Sequence, residues 1–208
     1  MPIRLKSAQK LRMQIAEVAA KLVAVDEVAD YHSAKRKAAS QLGVSTNKNL
    51  PSNQEIEEAL INYQHLFQTN KHRGRLKDLR TQAIVAMKLL HQFKPLLVGP
   101  VASGTATHST EVTLHLYCDH VERVGLFLLK QGIPNRLSEK QIKISLTRSI
   151  TCPAYHFIAD QTLFVLVIFS EKDRNLSPVS SIDNRSMKMI NIAEALVMIE
   201  EINNSPPI

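Results

Sequence analysis

Gly99-Pro100-Val101-Ala102-Ser103-Gly104-Thr105-Ala106-Thr107-His108-Ser109-Thr110-Glu111-Val112-Thr113-Leu114 is the stretch at which the chain changes character. Before it, apolar residues recur every three or four positions, the spacing of helix faces; after it they alternate in twos, the spacing of strands. Leu96-Leu97-Val98 leads in as a short apolar run, and Val112, Leu114 and Leu116 lead out, alternating with Thr113, His115 and Tyr117. The reading is a strand, a loop in which glycines let the backbone turn tightly, and a half-buried strand.

Working upstream, Leu11, Ile15, Val18, Ala19, Leu22 and Val23 define one helix face, and Tyr31, Ala34, Ala38 and Leu42 define a second that Gly43 stops. Ser52-Asn53-Gln54-Glu55 has the spacing of a capping box and opens a third helix with Ile56, Leu60, Tyr63 and Phe67 on its face. A fourth runs from about Arg73 through Leu76, Leu79, Ala83, Ile84, Met87 and Leu90, and ends before Pro95. Downstream, residues 119–131 read as a helix closed by Gly132, while Ile142, Ile144 and Leu146 alternate in a strand. Residues 154–159 and 162–169 are two more strands, the last apolar enough to be central, and Asn191 caps a final helix. The expected fold is α+β: a helical region over 1–94 packed on a small mixed-sheet domain over 95–204, with 205–208 a loose tail.

A chain of 208 residues, 44% hydrophobic, can bury a substantial core. It has no apolar run long enough to span a bilayer, and Met1-Pro2-Ile3-Arg4-Leu5-Lys6 leads into charges rather than an apolar signal core, so a cytoplasmic protein with no membrane partner is expected. Cys118 and Cys152 are expected to be reduced thiols. The formal charge of +7 is uneven: residues 1–95 hold 16 Lys and Arg against 8 Asp and Glu, residues 96–208 hold 10 against 11. Within the basic half, Lys71, Arg73, Lys77 and Arg80 are candidates for nucleic-acid phosphates, positions 73, 77 and 80 sharing a helix face. The absence of tryptophan argues against recognition by base stacking.

Three other patterns lead less far. Residues 38–45, behind Lys35, Arg36 and Lys37, have the form of a helix-turn-helix opening, but the next helix carries Glu55, Glu57 and Glu58 and would repel phosphates. His108, His115, Cys118 and His120 lack structural-zinc spacing. No Gly-x-Ser-x-Gly elbow is present for a serine hydrolase.

Over about residues 95–170 the chain resembles the polymerase-β-type nucleotidyltransferases. Gly99 matches the family's first glycine, Gly104-Thr105-Ala106 the second, and Thr110-Glu111-Val112-Thr113-Leu114 the place of its Ser-Asp-hydrophobic-Asp-hydrophobic strand. The resemblance implies a loop whose backbone N–H groups grip phosphate, and carboxylates at i and i+2 that hold divalent metals for in-line attack. Pro100 stands where the family has a serine, Thr113 where it has the second carboxylate, and residues 162–169 offer no third acid. The resemblance therefore implies a catalytically degenerate protein that binds a nucleotide or other phosphorylated ligand at Gly99, Ser103, Gly104, Thr105, Thr110 and Glu111. Thr113 and His115, on the strand face of Glu111, would line the pocket, and Glu111 would place a single Mg²⁺. The alternatives are a non-enzymatic nucleic-acid or protein-binding adaptor acting through the basic helical half, and an active nucleotidyltransferase that recruits an atypical ligand such as Asp119 or Asp160.

The whole chain also resembles a family of bacterial proteins without an established activity. The likeness rests on Tyr31-His32-Ser33-Ala34-Lys35-Arg36-Lys37-Ala38-Ala39, Leu50-Pro51-Ser52-Asn53-Gln54-Glu55-Ile56-Glu57, the glycine loop, Phe127-Leu128-Leu129-Lys130-Gln131-Gly132-Ile133-Pro134 and Leu176-Ser177-Pro178-Val179. Members are sometimes labelled UDP-N-acetylmuramate–alanine ligase. The residues argue against that label: Thr107 and His108 stand where an ATP loop needs glycine and lysine, and a strand follows instead of a helix.

Overall fold

The computed structural model describes residues 2–25, 28, 30–44, 50–67, 69–107, 109–180, 182 and 185–204. His108 and the tail at 205–208 lie outside the described residues. The fold is α+β, with seven α-helices and one five-stranded mixed sheet among the described residues. None of these helices is long and apolar enough to cross a membrane.

Helices α1 (Pro2–Ala24), α2 (Tyr31–Gln41) and α3 (Asn53–Phe67) form a bundle with a core of its own. Ile15, Ala19, Ala34, Ala38, Ile56 and Leu60 are its fully buried centre, and the alanines let the helices approach closely. Its helix ends are closed by side chains. Asp30 caps α2 by accepting from the Ser33 N–H at 2.9 Å, and Gly43 leaves it with φ +67°. The capping box of α3 forms as read, with Ser52 N–H to Glu55 Oε2 at 2.7 Å and Glu55 N–H to Ser52 Oγ at 3.2 Å. α2 packs within this bundle through Ala34, Ala38 and Ala39, which accounts for its sequence without a DNA-reading role.

Two apolar positions fall outside the core. Leu42 is exposed, and Phe67 is 72% exposed while Gln64 is buried in its stead. The end of α3 passes over the glycine loop, where the Gln64 Nε2 donates to the Ala106 carbonyl at 3.2 Å, so a polar side chain is required there.

α4 (Thr69–Leu89) starts four residues earlier than the apolar pattern indicates. Leu79, Ala83, Met87 and Leu90 are buried against the sheet together with Val124 and Leu128 of α6 (Val121–Lys130) and Ala195 of α7 (Ile192–Asn204). The strand order is β1 (Leu96–Val98), β2 (Val112–Tyr117), β5 (Thr162–Phe169), β4 (Ser149–Ala159), β3 (Arg136–Lys143). Only β2 and β5 run parallel, with Val112 opposite Phe164, and β5 takes the central place its unbroken apolar run predicts.

Two strand readings need correction. β3 starts at Arg136, ahead of the Ile142-Ile144-Leu146 alternation, and ends at Lys143, so that it includes Ile142 but not Leu146, which is 70% exposed; β4 starts at Ser149, ahead of Pro153. Over 149–153 β4 pairs with β3 alone, so the proline sits on a sheet edge, where its missing N–H costs no ladder bond.

The sheet is curled. β3 is three strands from β2, more than 10 Å in a flat sheet, yet Lys140 Nζ lies 2.9 Å from Glu111 Oε1. A strap, described at residues 179, 180, 182 and 185–190, ties the two edges. Val179 N–H donates to the Lys143 carbonyl of β3 at 2.7 Å, and Ile190 exchanges two backbone bonds with Leu97 of β1, at 2.8 and 2.9 Å. Inside the curl, Tyr117, Ile142, Ala154, Val165, Val167 and Phe169 form a second sheet core built from strand residues. Cys118 and Cys152 are free and buried, and burial, with Asp173 adding to it, pushes the Cys152 thiol up to about 11.

Candidate functional site

Gly99 leaves β1 with φ +74° and ψ −157°, a conformation closed to residues with a Cβ, and Pro100 then starts the single-turn helix α5 (Pro100–Ser103). Gly104 ends it with φ +94°. The turn consumes the loop's donors. Ser103 N–H bonds to Gly99 O at 2.9 Å, Gly104 and Thr105 N–H to Pro100 O at 2.8 and 3.0 Å, and Thr107 N–H to Thr110 Oγ1 at 2.7 Å. The expected phosphate grip by backbone N–H groups is therefore corrected at these four positions, because each N–H already has an internal acceptor.

The loop carbonyls are held from the helices. Arg80 Nε donates to Val101 O at 3.2 Å, His72 Nε2 to Gly104 O at 2.9 Å, and Gln64 Nε2 to Ala106 O. Arg80 is 5% exposed; burial pulls its pKa down and Glu201 draws it back. Burial likewise lowers His72, against the carbonyls of Gly104 and Ala106 that favour its protonated form. Arg73 Nη2 donates to Ile202 O at 2.7 Å, in the last turn of α7. Of the four basic candidates on α4, Arg73 and Arg80 thus hold the fold, and Lys71 and Lys77 remain exposed.

On its outer side the loop forms one wall of a cleft of about 540 Å³. The bundle supplies a second wall with Tyr31, Asn53 and Glu57, and the strap a third with Ser180, Ser186 and Lys188. Hydroxyls converge there: Ser103 Oγ lies 2.9 Å from Thr105 Oγ1, Thr107 Oγ1 lies 3.1 Å from Thr110 Oγ1, and the Tyr31 hydroxyl bonds to Thr105. Burial, reinforced by Glu57, raises the Tyr31 phenol far above neutral pH and keeps it protonated.

Of the expected ligand-binding residues, Gly99, Ser103, Thr105 and Thr110 line this cleft. Gly104 faces α4 instead, an added Cβ there lying 3.7 Å from Arg80. Glu111, Thr113 and His115 point into the curl of the sheet. Glu111 pairs with Lys140 at 2.9 Å and accepts from Thr113 Oγ1 at 3.3 Å; Thr113 is 8% exposed and His115 1%. The expectation that this face lines a pocket is corrected: β2 is buried on both faces because β3 and β4 fold over it. The His115 ring packs tilted against Phe169 with centroids 4.7 Å apart, its Nδ1 has no partner among the described residues, and burial, with Lys140 nearby, lowers its pKa to about 4.

These residues do not fit a divalent-metal centre. Glu111 is paired with the Lys140 ammonium at 2.9 Å, and Asp119 lies apart from it, its Oδ1 accepting from Ser170 Oγ at 2.7 Å and Glu171 N–H at 2.9 Å. Among the described residues no three His, Cys, Asp or Glu side chains are grouped to hold a metal ion.

The sequence reading missed Tyr31, Glu57 and Lys188. Tyr31 reads as an apolar-face residue and Asn53 as part of a cap, and neither spacing tells that α2 and α3 meet the loop. The available signal was the likeness itself, since the stretches beginning at Tyr31 and Leu50 and the glycine loop all reach the cleft. No family model matches the chain, and no curated protein matches it significantly.

Proposed function

We propose that this protein is a catalytically degenerate, nucleotidyltransferase-like binder that holds a nucleotide or other phosphorylated small molecule in the cleft between the bundle, the glycine loop and the strap. One observation carries the reading: the cleft is electrostatically two-sided, with Lys188 on the strap facing a bundle wall that carries Glu57, and a row of hydroxyls between them. A cation with adjacent hydroxyls suits phosphate oxygens, and a carboxylate suits the donors of a ribose or base. A volume of about 540 Å³ lies in the range of small-molecule sites. With Glu111 paired to Lys140, binding needs no metal ion at that carboxylate.

Thermal unfolding of the full chain with nucleoside mono-, di- and triphosphates, in EDTA and in Mg²⁺, tests this. A ligand at a hundred times its Kd adds about 2.7 kcal/mol of stability. Stabilisation should persist in EDTA, drop in Lys188→Ala and Thr105→Val, and survive Glu111→Gln. Absence of stabilisation by any of these ligands, or a strict requirement for Mg²⁺ and Glu111, overturns the proposal.

A further inference from the structure

In the cleft of the glycine loop the hydroxyl hydrogens follow from the bonds already made. Tyr31, Thr105 and Ser103 form one connected row, the Tyr31 hydroxyl bonding to Thr105 and Thr105 Oγ1 lying 2.9 Å from Ser103 Oγ. Three hydroxyls joined by two bonds use two hydrogens and keep one. With the phenol donating, the remaining hydrogen falls to Ser103, which is exposed and otherwise reaches only the Pro100 carbonyl, at a long 3.4 Å. Thr107 and Thr110 form a second row. Thr110 Oγ1 accepts the Thr107 N–H at 2.7 Å, the two hydroxyl oxygens lie 3.1 Å apart, and one hydrogen is again left over. The loop thus presents O–H donors in place of the backbone N–H groups that it closes internally, and the strap adds the hydroxyls of Ser180 and Ser186.

Positive charge is scarcer there than donors. The described lining holds one ammonium, Lys188, and one imidazole, His32, against the carboxylates of Asp30 and Glu57. Glu57 stands close enough to Tyr31 to help raise its phenol, and Glu111, the acid expected to place Mg²⁺, is paired with Lys140 away from the cleft. A single phosphate suits this arrangement, its terminal oxygens taking the remaining hydroxyl hydrogens and the ammonium. Each further phosphate brings another negative charge toward the two carboxylates, and no second lysine or arginine of the described lining meets it. Granting the cleft its phosphorylated ligand, we infer that it selects a phosphate monoester over the di- and triphosphates of the same body, an inference that stands on that reading. The body carries hydroxyl or amino donors, as a ribose or a base does, for the carboxylate of Glu57.

Isothermal titration of the full chain, in EDTA at pH 8, with the mono-, di- and triphosphates of adenosine, guanosine, cytidine and uridine tests this. For a nucleoside that binds, the monophosphate should bind roughly tenfold more tightly than the diphosphate, and the triphosphate more weakly still. Glu57→Gln, and Asp30→Asn, which keeps the cap of α2, should each narrow that ratio by removing a charge that repels the added phosphates. Ser103→Ala and Thr107→Val should each weaken the monophosphate severalfold by removing an O–H donor. A triphosphate that binds as tightly as its monophosphate, or a ratio that neither carboxylate variant moves, overturns the selectivity and leaves the phosphorylated-ligand reading standing. If none of the nucleotides binds up to about 10 mM, that reading falls and the selectivity falls with it. Should one carboxylate variant not fold, the other variant and the ranking on the natural sequence still decide.

Discussion

His115 is buried as a neutral ring on β2, with a folded-state pKa of about 4 against an ordinary value of 6.5. Between those two values the unfolded chain takes up a proton that the folded chain refuses, so stability is full above pH 6.5 and falls as pH drops toward 4, by about 3 kcal/mol from this residue. His72, lowered by the same cause, adds a slope of the same sign. The carboxylates of Asp30 and Glu55, held below their ordinary values of 3.8 and 4.5, lose their contributions as pH falls through and below those values, at the bottom of this window and beneath it. Urea midpoints at pH 7 and pH 4.5 should therefore lie closer together in His115→Leu than in the natural chain; equal spacing refutes the neutral, desolvated ring. The β4–β5 turn offers a second test at this scale. Gln161→Gly should raise stability by about 0.5–1 kcal/mol, because glycine adopts φ +64° without the cost a side chain carries.

Among the elements, α6 lies so close to β4 that a Cβ on Gly125 would stand 2.6 Å from Tyr155 Oη and 2.8 Å from Cζ. Gly125→Ala should cost about 1–3 kcal/mol despite alanine's better helix propensity. Tyr155→Leu in the same chain should return part of that loss, and a fully additive pair would show that the contact is not the cause. Elements specified by neighbours in sequence were legible: the capping box at Ser52, the stop at Gly43 and the continuous apolar run of β5 each depend on local chemistry. What depends on distant partners was not. Alternation in β2 predicts one wet face, and only the folding of β3 and β4 over Thr113 and His115 dries it. Phe67 reads as core because the helical period extends to it, but the loop beneath α3 needs the amide of Gln64. The glycine loop was legible as the bend between two strands; of the eight residues assigned to a ligand there, Gly99, Ser103, Thr105 and Thr110 line the cleft and the other four serve the curled sheet or α4.

At the scale of the molecule there are two principal cores, one within α1–α3 and one between the sheet and α4, α6 and α7. Polar bonds that join the bundle to the loop include Gln64 to Ala106 and Tyr31 to Thr105. Units with separate cores open separately. Native-state hydrogen exchange should show the amides of α1–α3 opening together at a lower free energy than those of β2 and β5, and Gln64→Leu should widen the gap. A ligand held in the cleft touches both units and should narrow it; identical opening energies in the free protein would mean that the two cores act as one.

The carbonyls of Val101, Gly104 and Ala106 are each anchored from α3 or α4, and the N–H groups of Ser103, Gly104, Thr105 and Thr107 are closed within the loop. A molecule arriving at the cleft thus meets a wall that has no ordering left to do. Stopped-flow traces of its arrival should follow a single exponential whose rate rises linearly with concentration, without the plateau that a closing loop imposes.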